Sequence, residues 1–141
     1  IEEWGYKFHM NDVCATVGIE NLKHADDIIS KHRENAAYYD KHLQNVNKVT
    51  LLKREEGFDS AFWIYSLKVK DRDKFYKHMD KCNITVSQVH ERNDKHTCVR
   101  EFQSELPSLD ATIGKIVSIP VGWWLTPEER KYIVDCIKKG W

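Results

Sequence analysis

Between residues 25 and 43, apolar side chains recur every three or four residues, and Lys, Asp and Glu fill most positions between them. A spacing near 3.6 residues predicts one long amphipathic helix with a single apolar side to bury. Asn11-Asp12 is a helix-start signal, so we expect the helical region to cover about residues 11–45, with Gly18 marking a bend or close packing within it rather than its end. The repeating positions are Ala25, Ile28, Ile29, His32, Ala36, Tyr39 and Leu43.

The remainder of the chain alternates between short strand-like and helix-like segments. β-branched and aromatic residues predict strands at residues 49–52, 61–70, 84–89 and 117–121, the second of them central. One helix is expected after Asp71, with Phe75 and Met79 facing inward, and another over about residues 108–116.

The last predicted helix has the clearest start. Thr126, Pro127 and Glu129 match a capping box with proline at the first helical position, and Gly140 is a typical end. Few strands and helices on one side indicate an α+β fold, a small and mainly antiparallel sheet covered by helices. We expect one domain over residues 1–141, a long linking helix at about 11–45 followed by a small α/β domain at 46–141. The side chains expected to be buried are Tyr132, Ile133, Cys136 and Ile137.

Composition argues against several classes of protein. The 22 basic and 22 acidic residues cancel, so no net field would attract nucleic acid or an anionic membrane. No apolar stretch approaches the ~18 residues of a spanning helix, and the acidic first residues do not resemble a signal peptide. The four cysteines show no CxxC spacing, which favours reduced thiols in the cytoplasm. The chain begins without Met, within what reads as a loop, and we expect it to be part of a longer protein.

The first candidate site is the stretch HERNDKH at residues 90–96, directly after a predicted strand. Loops that follow strands often carry binding groups, and this one has no apolar side chain. A solvated polar loop without function is the plain alternative. A metal site is another, although its spacing matches no standard pattern. That site would use His90, Asp94, His96 and Cys98.

The second candidate is the opening segment. Lys7 and His9 stand two residues apart, so an extended chain would point both to one side, just before the free N–H groups of a helix start. Cations beside a helix N-terminus suit a phosphate group. Against this, Asp12 lies in the first turn and could satisfy those donors. A hydrophobic segment with two exposed polar tips is the alternative.

A third feature is the aromatic pair in VSIPVGWWLTPEE. Trp123 and Trp124 could form a flat apolar binding surface. Aromatic pairs more often complete a core or a subunit contact, and we favour that interpretation.

The sequence resembles the C-terminal part of DegT/StrS-type sugar aminotransferases, within which the perosamine-synthase-like members are most similar. These are pyridoxal-phosphate (PLP) enzymes that aminate keto-sugars carried on nucleotides. The resemblance runs through most of the chain in the order of the family, and it implies the smaller C-terminal domain of fold-type I PLP-dependent transferases. The segments that carry it are GYKFHMNDVCATVGIENL, KHRENAAYYDKHL, AFWIYSLKV, NITVSQVHERNDKH, LPSLD and VSIPVGWWLTPEE.

The resemblance implies roles for both polar candidates. In such enzymes the active site lies at a dimer interface, and the segment matching GYKFHM reaches the cofactor phosphate of the neighbouring subunit. Lys7 and His9 would then bind that phosphate, although many members have Asn and Arg there. The loop at residues 90–96 would face the nucleotide-sugar substrate. Its candidate substrate-binding residues are His90, Arg92, Asn93 and His96.

One element of the family is missing from this chain. Such enzymes hold PLP on a Schiff-base lysine in a Ser-x-x-Lys stretch, and no such stretch occurs here. We therefore expect no catalytic residue, no bound cofactor and no transaminase activity in the isolated chain, and we expect self-association through its apolar surface. The alternative is a free-standing, non-catalytic binding or assembly module with the same fold.

Overall fold

The helical region consists of two helices rather than one. The computed structural model describes residues 2–3, 5–6 and 10–141. Helix α1 covers Asp12–Leu22 and helix α2 covers Ala25–Leu43. The break lies at Lys23 and His24, whose N–H groups bond to the carbonyls three residues earlier, a tightened final turn typical of a helix end. Gly18 lies inside α1 and not at a helix end, as expected.

Three short strands form one antiparallel sheet in the order β1-β2-β3. Strand β1 is Val49–Leu51, β2 is Tyr65–Val69 and β3 is Ile116–Ile119. Val49 pairs with Val69, and Tyr65 pairs with Ile119. The α+β fold class and the central position of the strand predicted at 61–70 are confirmed. That strand starts later than predicted, at Tyr65, because Phe62 has a left-handed φ of 50° that an extended strand does not allow.

The strand predicted at residues 84–89 is wrong. Only Ser87 pairs there, with Ser118 of β3, through N–H···O bonds of 3.0 and 2.7 Å. In an antiparallel ladder the next hydrogen-bonded pair would join Thr85 to Pro120. Pro120 has no N–H group to donate, so the ladder does not extend in that direction.

The remaining helices are α3 at Arg72–Lys81, a 3₁₀ helix at Thr97–Phe102, α4 at Pro107–Ile113 and α5 at Pro127–Lys139. The capping box is confirmed, because Thr126 Oγ1 accepts from Glu129 N–H and the Glu129 carboxylate accepts from Thr126 N–H. Tyr132 was expected to be buried but is 49% exposed, and Val134 takes the inward position instead.

Helices α2, α3 and α5 contribute the core residues that pack against the inner face of the sheet. Tyr65, Leu67 and Val69 alternate inward along β2, as the strand period requires. Along the part of the chain that is described, no helix is long and apolar enough to cross a membrane. The helical side chains of this core are Ala36, Tyr39, Leu43, Phe75, Met79, Ile133, Val134, Cys136 and Ile137.

Candidate functional site

The polar loop at residues 90–96 is anchored where it leaves the sheet. The bridge between Ser87 and Ser118 fixes one side of its start. On the other side, Arg72 Nη1 donates to Gln88 Oε1 at 2.7 Å and to the carbonyl of Ile113 at 2.9 Å. These contacts join the loop start to α3 and α4, so the loop begins from a fixed position.

Arg92 forms two ion pairs at this loop, with Asp94 and Asp110. Its Nε and Nη2 atoms donate to the two carboxylate oxygens of Asp94 at 2.8 and 2.6 Å, and Nη1 donates to Asp110 at the start of α4. The Arg92 side chain is 16% exposed, that of Asp94 is 18% exposed and that of Asp110 is 58% exposed. Asp94 therefore binds Arg92 through both carboxylate oxygens and is largely buried, whereas Asp110 makes one hydrogen bond to Arg92 and is exposed to solvent.

The Arg92–Asp94 pair alters the titration of both groups. Hydrogen bonds from the Arg92 guanidinium hold the pKa of the Asp94 carboxyl below its usual range. The same bonds, with those to Asp110, raise the pKa of Arg92. Both groups are consequently charged at neutral pH.

Asn93 and His96 border one cavity of about 450 Å³, which neither Arg92 nor Asp110 lines. The His96 N–H group donates to the Asn93 carbonyl at 3.2 Å, which closes the loop into a turn. Gln103 Nε2 donates to the Asp94 carbonyl at 2.6 Å from the end of the 3₁₀ helix. A cavity of this size suits a small polar ligand. Its lining also includes Glu3, Gly5, Asp94, Cys98, Val99, Phe102 and Gln103.

His90 stands apart from that cavity. It is exposed, and its ring lies 6.0 Å from the ring of Trp63, measured between centroids. Trp63 is 68% exposed just before β2. The structure thus groups Asn93 with His96, Arg92 with the two aspartates, and His90 with Trp63.

The side chains of the alternative metal site do not form a ligand cluster. Among the residues described, no group of three or more His, Cys, Asp or Glu side chains is arranged to hold a metal ion. The carboxylate of Asp94, which that site would need, is occupied by Arg92.

The opening segment is described only in part, and the candidate residues Lys7 and His9 lie outside the described residues. At the start of α1, the Asn11 side chain accepts the Cys14 N–H group at 2.9 Å. The N-cap is thus Asn11, at the predicted helix start, and its side chain satisfies a donor that Asp12 was expected to satisfy. Asp12 nevertheless leaves a negative charge in the first turn.

Trp123 and Trp124 do not enter the core of the described chain. They are 53% and 64% exposed, and their rings meet edge to face at 6.2 Å. The Trp124 ring lies directly over Gly122, where an added Cβ atom would come within 2.2 Å of it. The pair is an exposed aromatic surface whose position depends on a residue without a side chain.

The comparison with known proteins decides the family. The sequence matches the DegT/DnrJ/EryC1/StrS aminotransferase family over residues 1–138. The chain belongs to this family. Two solved structures match 99% of the chain at 43% identity, the sugar aminotransferase CalS13 from Micromonospora echinospora with a TM-score of 0.90 and AtS13 from Actinomadura melliaura with a TM-score of 0.88. The chain spans 38% and 37% of their lengths.

Curated relatives of this aminotransferase-family chain are more distant. EryC1 from Saccharopolyspora erythraea is 23% identical over 141 residues, which cover 96% of the chain and 38% of that protein. A GDP-perosamine synthase from Escherichia coli O157:H7 is 30% identical over 78 residues, 53% of the chain and 21% of that protein. The chain therefore corresponds to about two fifths of the length of its full-length relatives.

Trp63 is the member of this site that sequence reasoning missed. In AFWIYSLKV it shares the odd-numbered side of the predicted strand with Tyr65 and Leu67, which are buried. The left-handed Phe62 ends that alternation and leaves Trp63 exposed beside His90. No pattern in the sequence indicates a left-handed phenylalanine.

Proposed function

We propose that this chain is the C-terminal part of a PLP-dependent aminotransferase that aminates a keto-sugar on a nucleoside diphosphate, with glutamate or glutamine as amino donor. The observation that carries the proposal is the 43% identity to the sugar aminotransferase CalS13 across 99% of the chain. The described loop supports it, because a polar loop beside a cavity and an exposed aromatic ring suits a sugar-nucleotide. We further propose a cytoplasmic enzyme, since all four cysteines are free thiols.

We propose that the loop at residues 90–96 binds the substrate. In this proposal Asn93 and His96 contact sugar hydroxyls in their shared cavity, and His90 with Trp63 contacts the nucleotide. Arg92 binds a phosphate of the substrate, which replaces one of its two carboxylate partners. Asp110 is the partner that can leave, because it makes one contact and is largely exposed, whereas Asp94 holds two donors.

Lys7 and His9 remain our candidates for the phosphate of PLP in a neighbouring subunit. The described neighbourhood fits a phosphate only in part, because Asn11 already accepts the Cys14 N–H group and the Asp12 carboxylate would repel an anion. The positive charge of Lys7 would be needed to offset that carboxylate. When bound, PLP supplies the electron sink that amino transfer needs. A solved structure with the same fold, Spr1654 from Streptococcus pneumoniae, is known in its PLP form.

We propose that the 141-residue chain alone performs no amino transfer, because it has no Ser-x-x-Lys stretch to hold the cofactor. Mixing the purified chain with PLP and reducing with borohydride tests this directly. We expect scattered, substoichiometric labelling of surface lysines in a peptide map. Stoichiometric labelling of one defined lysine would contradict the proposal.

The substrate role of the loop is tested by steady-state kinetics of the complete enzyme. We expect Arg92→Ala to raise KM for the nucleotide-sugar about ten-fold, the effect of losing one charged hydrogen bond, and to leave the half-reaction with the amino donor unchanged. Asp110→Asn should lower that KM, because it removes the competitor for Arg92. Arg100→Ala is the matched control, since Arg100 is exposed on the neighbouring 3₁₀ helix. Equal losses in both half-reactions, or no loss in either, would overturn the role.

The second candidate function is a non-catalytic binding or assembly module. Exposed apolar side chains on α1 and the Trp123–Trp124 surface favour assembly with a partner or a second copy, and we propose a homodimer in the complete enzyme. Sedimentation velocity of the isolated chain should show concentration-dependent association. A monomer at every concentration up to the millimolar range would contradict self-association.

A further inference from the structure

Two cysteines from different helices meet where the ends of α3 and α5 lie side by side. Cys82 is the C-terminal cap of α3, and Cys136 lies in the last turn of α5. His78 Nε2 lies 4.0 Å from Cys82 Sγ and 2.8 Å from the Cys136 carbonyl oxygen, so the two cysteines are neighbours, and both thiols are free. Nothing in the proposed aminotransferase role uses them.

Reciprocal hydrogen bonds hold the two cysteines in place. His78 Nε2 of α3 lies 2.8 Å from the Cys136 carbonyl oxygen, and Tyr132 Oη of α5 lies 3.1 Å from the Cys82 carbonyl oxygen. Both carbonyls belong to helix ends, where the helix itself provides no partner. Each helix therefore supplies the side chain that satisfies the other helix's cysteine backbone, and this fixes the two residues opposite each other.

These bonds also define the state of the imidazole. A carbonyl oxygen only accepts, so His78 Nε2 must carry the proton and donate it. Cys82 Sγ lies 4.0 Å from the same nitrogen. His78 therefore acts as a positioning residue for the thiol pair, and the nitrogen nearest to Cys82 is not free to accept the thiol proton.

The two thiols differ in access. Cys136 is fully buried, whereas Cys82 is half-buried and borders a cavity of about 460 Å³ together with Trp124 and Tyr132. A small reagent that enters from solvent reaches Cys82 first. Cys136 can then react only with the neighbouring sulfur.

We propose that Cys82 and Cys136 form a reversible disulfide that links the end of α3 to α5. With a small disulfide oxidant R–S–S–R, the Cys82 thiolate attacks one sulfur, breaks the S–S bond and releases RS⁻. The Cys136 thiolate then attacks the Cys82 sulfur and releases the second RS⁻. Both thiol protons go to solvent and end on the two released thiolates, so the chain loses two hydrogens and the oxidant gains two.

The rate of this reaction depends on pH. Burial, then the hydrogen bond from Cys136, raises the pKa of the Cys82 thiol, so little thiolate is present at neutral pH. Oxidation is therefore slow at neutral pH and accelerates as the pH rises. This behaviour suits a thiol pair that stays reduced in a reducing compartment and closes only under oxidising conditions.

The test uses the intact chain with Cys14→Ser and Cys98→Ser, which leaves only the proposed pair. The protein is treated with glutathione disulfide, denatured in the presence of an alkylating reagent and examined by intact mass and peptide mapping. We expect a peptide that links Cys82 to Cys136, and a melting temperature raised by roughly 5 °C because a long loop is closed. Complete alkylation of both thiols would overturn the proposal.

Two further variants test the geometry. Tyr132→Phe removes only the hydroxyl that holds the Cys82 backbone, and we expect the linking rate to fall about five-fold while the fold is kept. An unchanged rate would overturn the role of the reciprocal bonds. In Cys82→Ser, Cys136 should neither form a mixed disulfide nor become alkylated before the chain unfolds. Modification of Cys136 at the wild-type rate would show that Cys82 is not the point of entry.

Discussion

Asn35 connects helix α2 to the segment that follows β3. Its side chain is buried, Nδ2 donates to the carbonyls of Val121 and Gly122 at 3.1 and 2.9 Å, and Oδ1 accepts from Arg130 Nη1 at 3.0 Å. One side chain thus hydrogen-bonds to two buried backbone carbonyls and to one nitrogen of the Arg130 guanidinium. Buried polar groups are costly when unpaired, so these bonds fix the backbone directly before the Trp123–Trp124 surface.

We expect Asn35→Ala to lower the free energy of unfolding by roughly 2–4 kcal/mol, because it removes the hydrogen bonds to two buried carbonyls and to Arg130. Urea denaturation measures the change. Asn45→Ala is the matched control, an exposed asparagine in the turn after α2, and should change stability by less than about 0.5 kcal/mol. Equal effects of the two variants would contradict the importance of the buried contacts.

Gly122 is required by close contact rather than by backbone conformation. An added Cβ would lie 2.2 Å from the Trp124 ring, so Gly122→Ala must displace the indole. We expect a shifted Trp124 indole N–H resonance in NMR spectra and a loss of about 1–3 kcal/mol in stability. Gly114→Ala is the control, because nothing lies within 4 Å of a Cβ there. A Trp124 signal that stays in place in Gly122→Ala would refute this packing.

The pKa of Asp94 reports the Arg92 contact. Arg92 lowers this pKa in the folded chain below its value in the unfolded chain, so the contact stabilises the loop above the unfolded pKa and is lost as pH falls through the folded one. We expect NMR titration of the Asp94 carboxyl carbon to show a depressed pKa that returns toward its ordinary value in Arg92→Gln. Arg100→Gln should leave it unchanged. An ordinary Asp94 pKa in the unmodified chain would contradict the pairing.

At the level of elements, α1 differs from every other long helix. None of its residues is buried, and Val13, Val17, Ile19 and Leu22 are all more than half exposed. Helix α2, by contrast, buries Asn35, Ala36, Tyr39 and Leu43. An 11-residue helix without tertiary packing is only marginally stable in water.

We therefore expect hydrogen exchange to separate the two helices. In the isolated chain, the amides of α1 should exchange nearly as fast as unstructured peptide, whereas those in the centre of α2 should be protected to the level of global unfolding. Exchange measured by mass spectrometry at low protein concentration tests this. Protection of α1 equal to that of α2 would mean that another surface covers its apolar side.

The sequence predicted helices and strands correctly where contacts between residues near each other in the chain determine them. Thr126 and Glu129 specify a helix start by their own hydrogen bonds, and the burial of Phe75 and Met79 follows from their spacing after Asp71. The wrong predictions concern segments whose structure depends on residues far away in the sequence. The pairing at Ser87 does not extend toward Thr85 because Pro120, more than thirty residues later in the chain, has no N–H group.

The sequence predicted which segment forms the candidate site but not how its side chains are arranged in space. The polar composition of residues 90–96 predicted a binding loop, and the structure has a loop bordered by a cavity there. Its division into an Arg92 cluster, an Asn93–His96 cavity and a His90–Trp63 pair depends on Asp110 and Trp63. Neither is adjacent to the loop in sequence, so no local pattern could reveal the arrangement.

For the whole molecule, the exposed apolar surfaces and the family membership point the same way. Helix α1 and the Trp123–Trp124 surface expose apolar area that a complete, isolated domain would normally cover. The chain matches about two fifths of the length of CalS13 and AtS13 and has no Ser-x-x-Lys stretch. Our account is that these surfaces contact the remainder of an aminotransferase, which holds the reactive lysine.

The most direct test is the mass of the protein as cells make it, after borohydride reduction and capture with an antibody against this chain. Our account predicts a polypeptide more than twice the 16.7 kDa of the chain, with one reduced PLP–lysine adduct in a Ser-x-x-Lys peptide. A captured protein of 16.7 kDa without an adduct would contradict the account and favour a free-standing module.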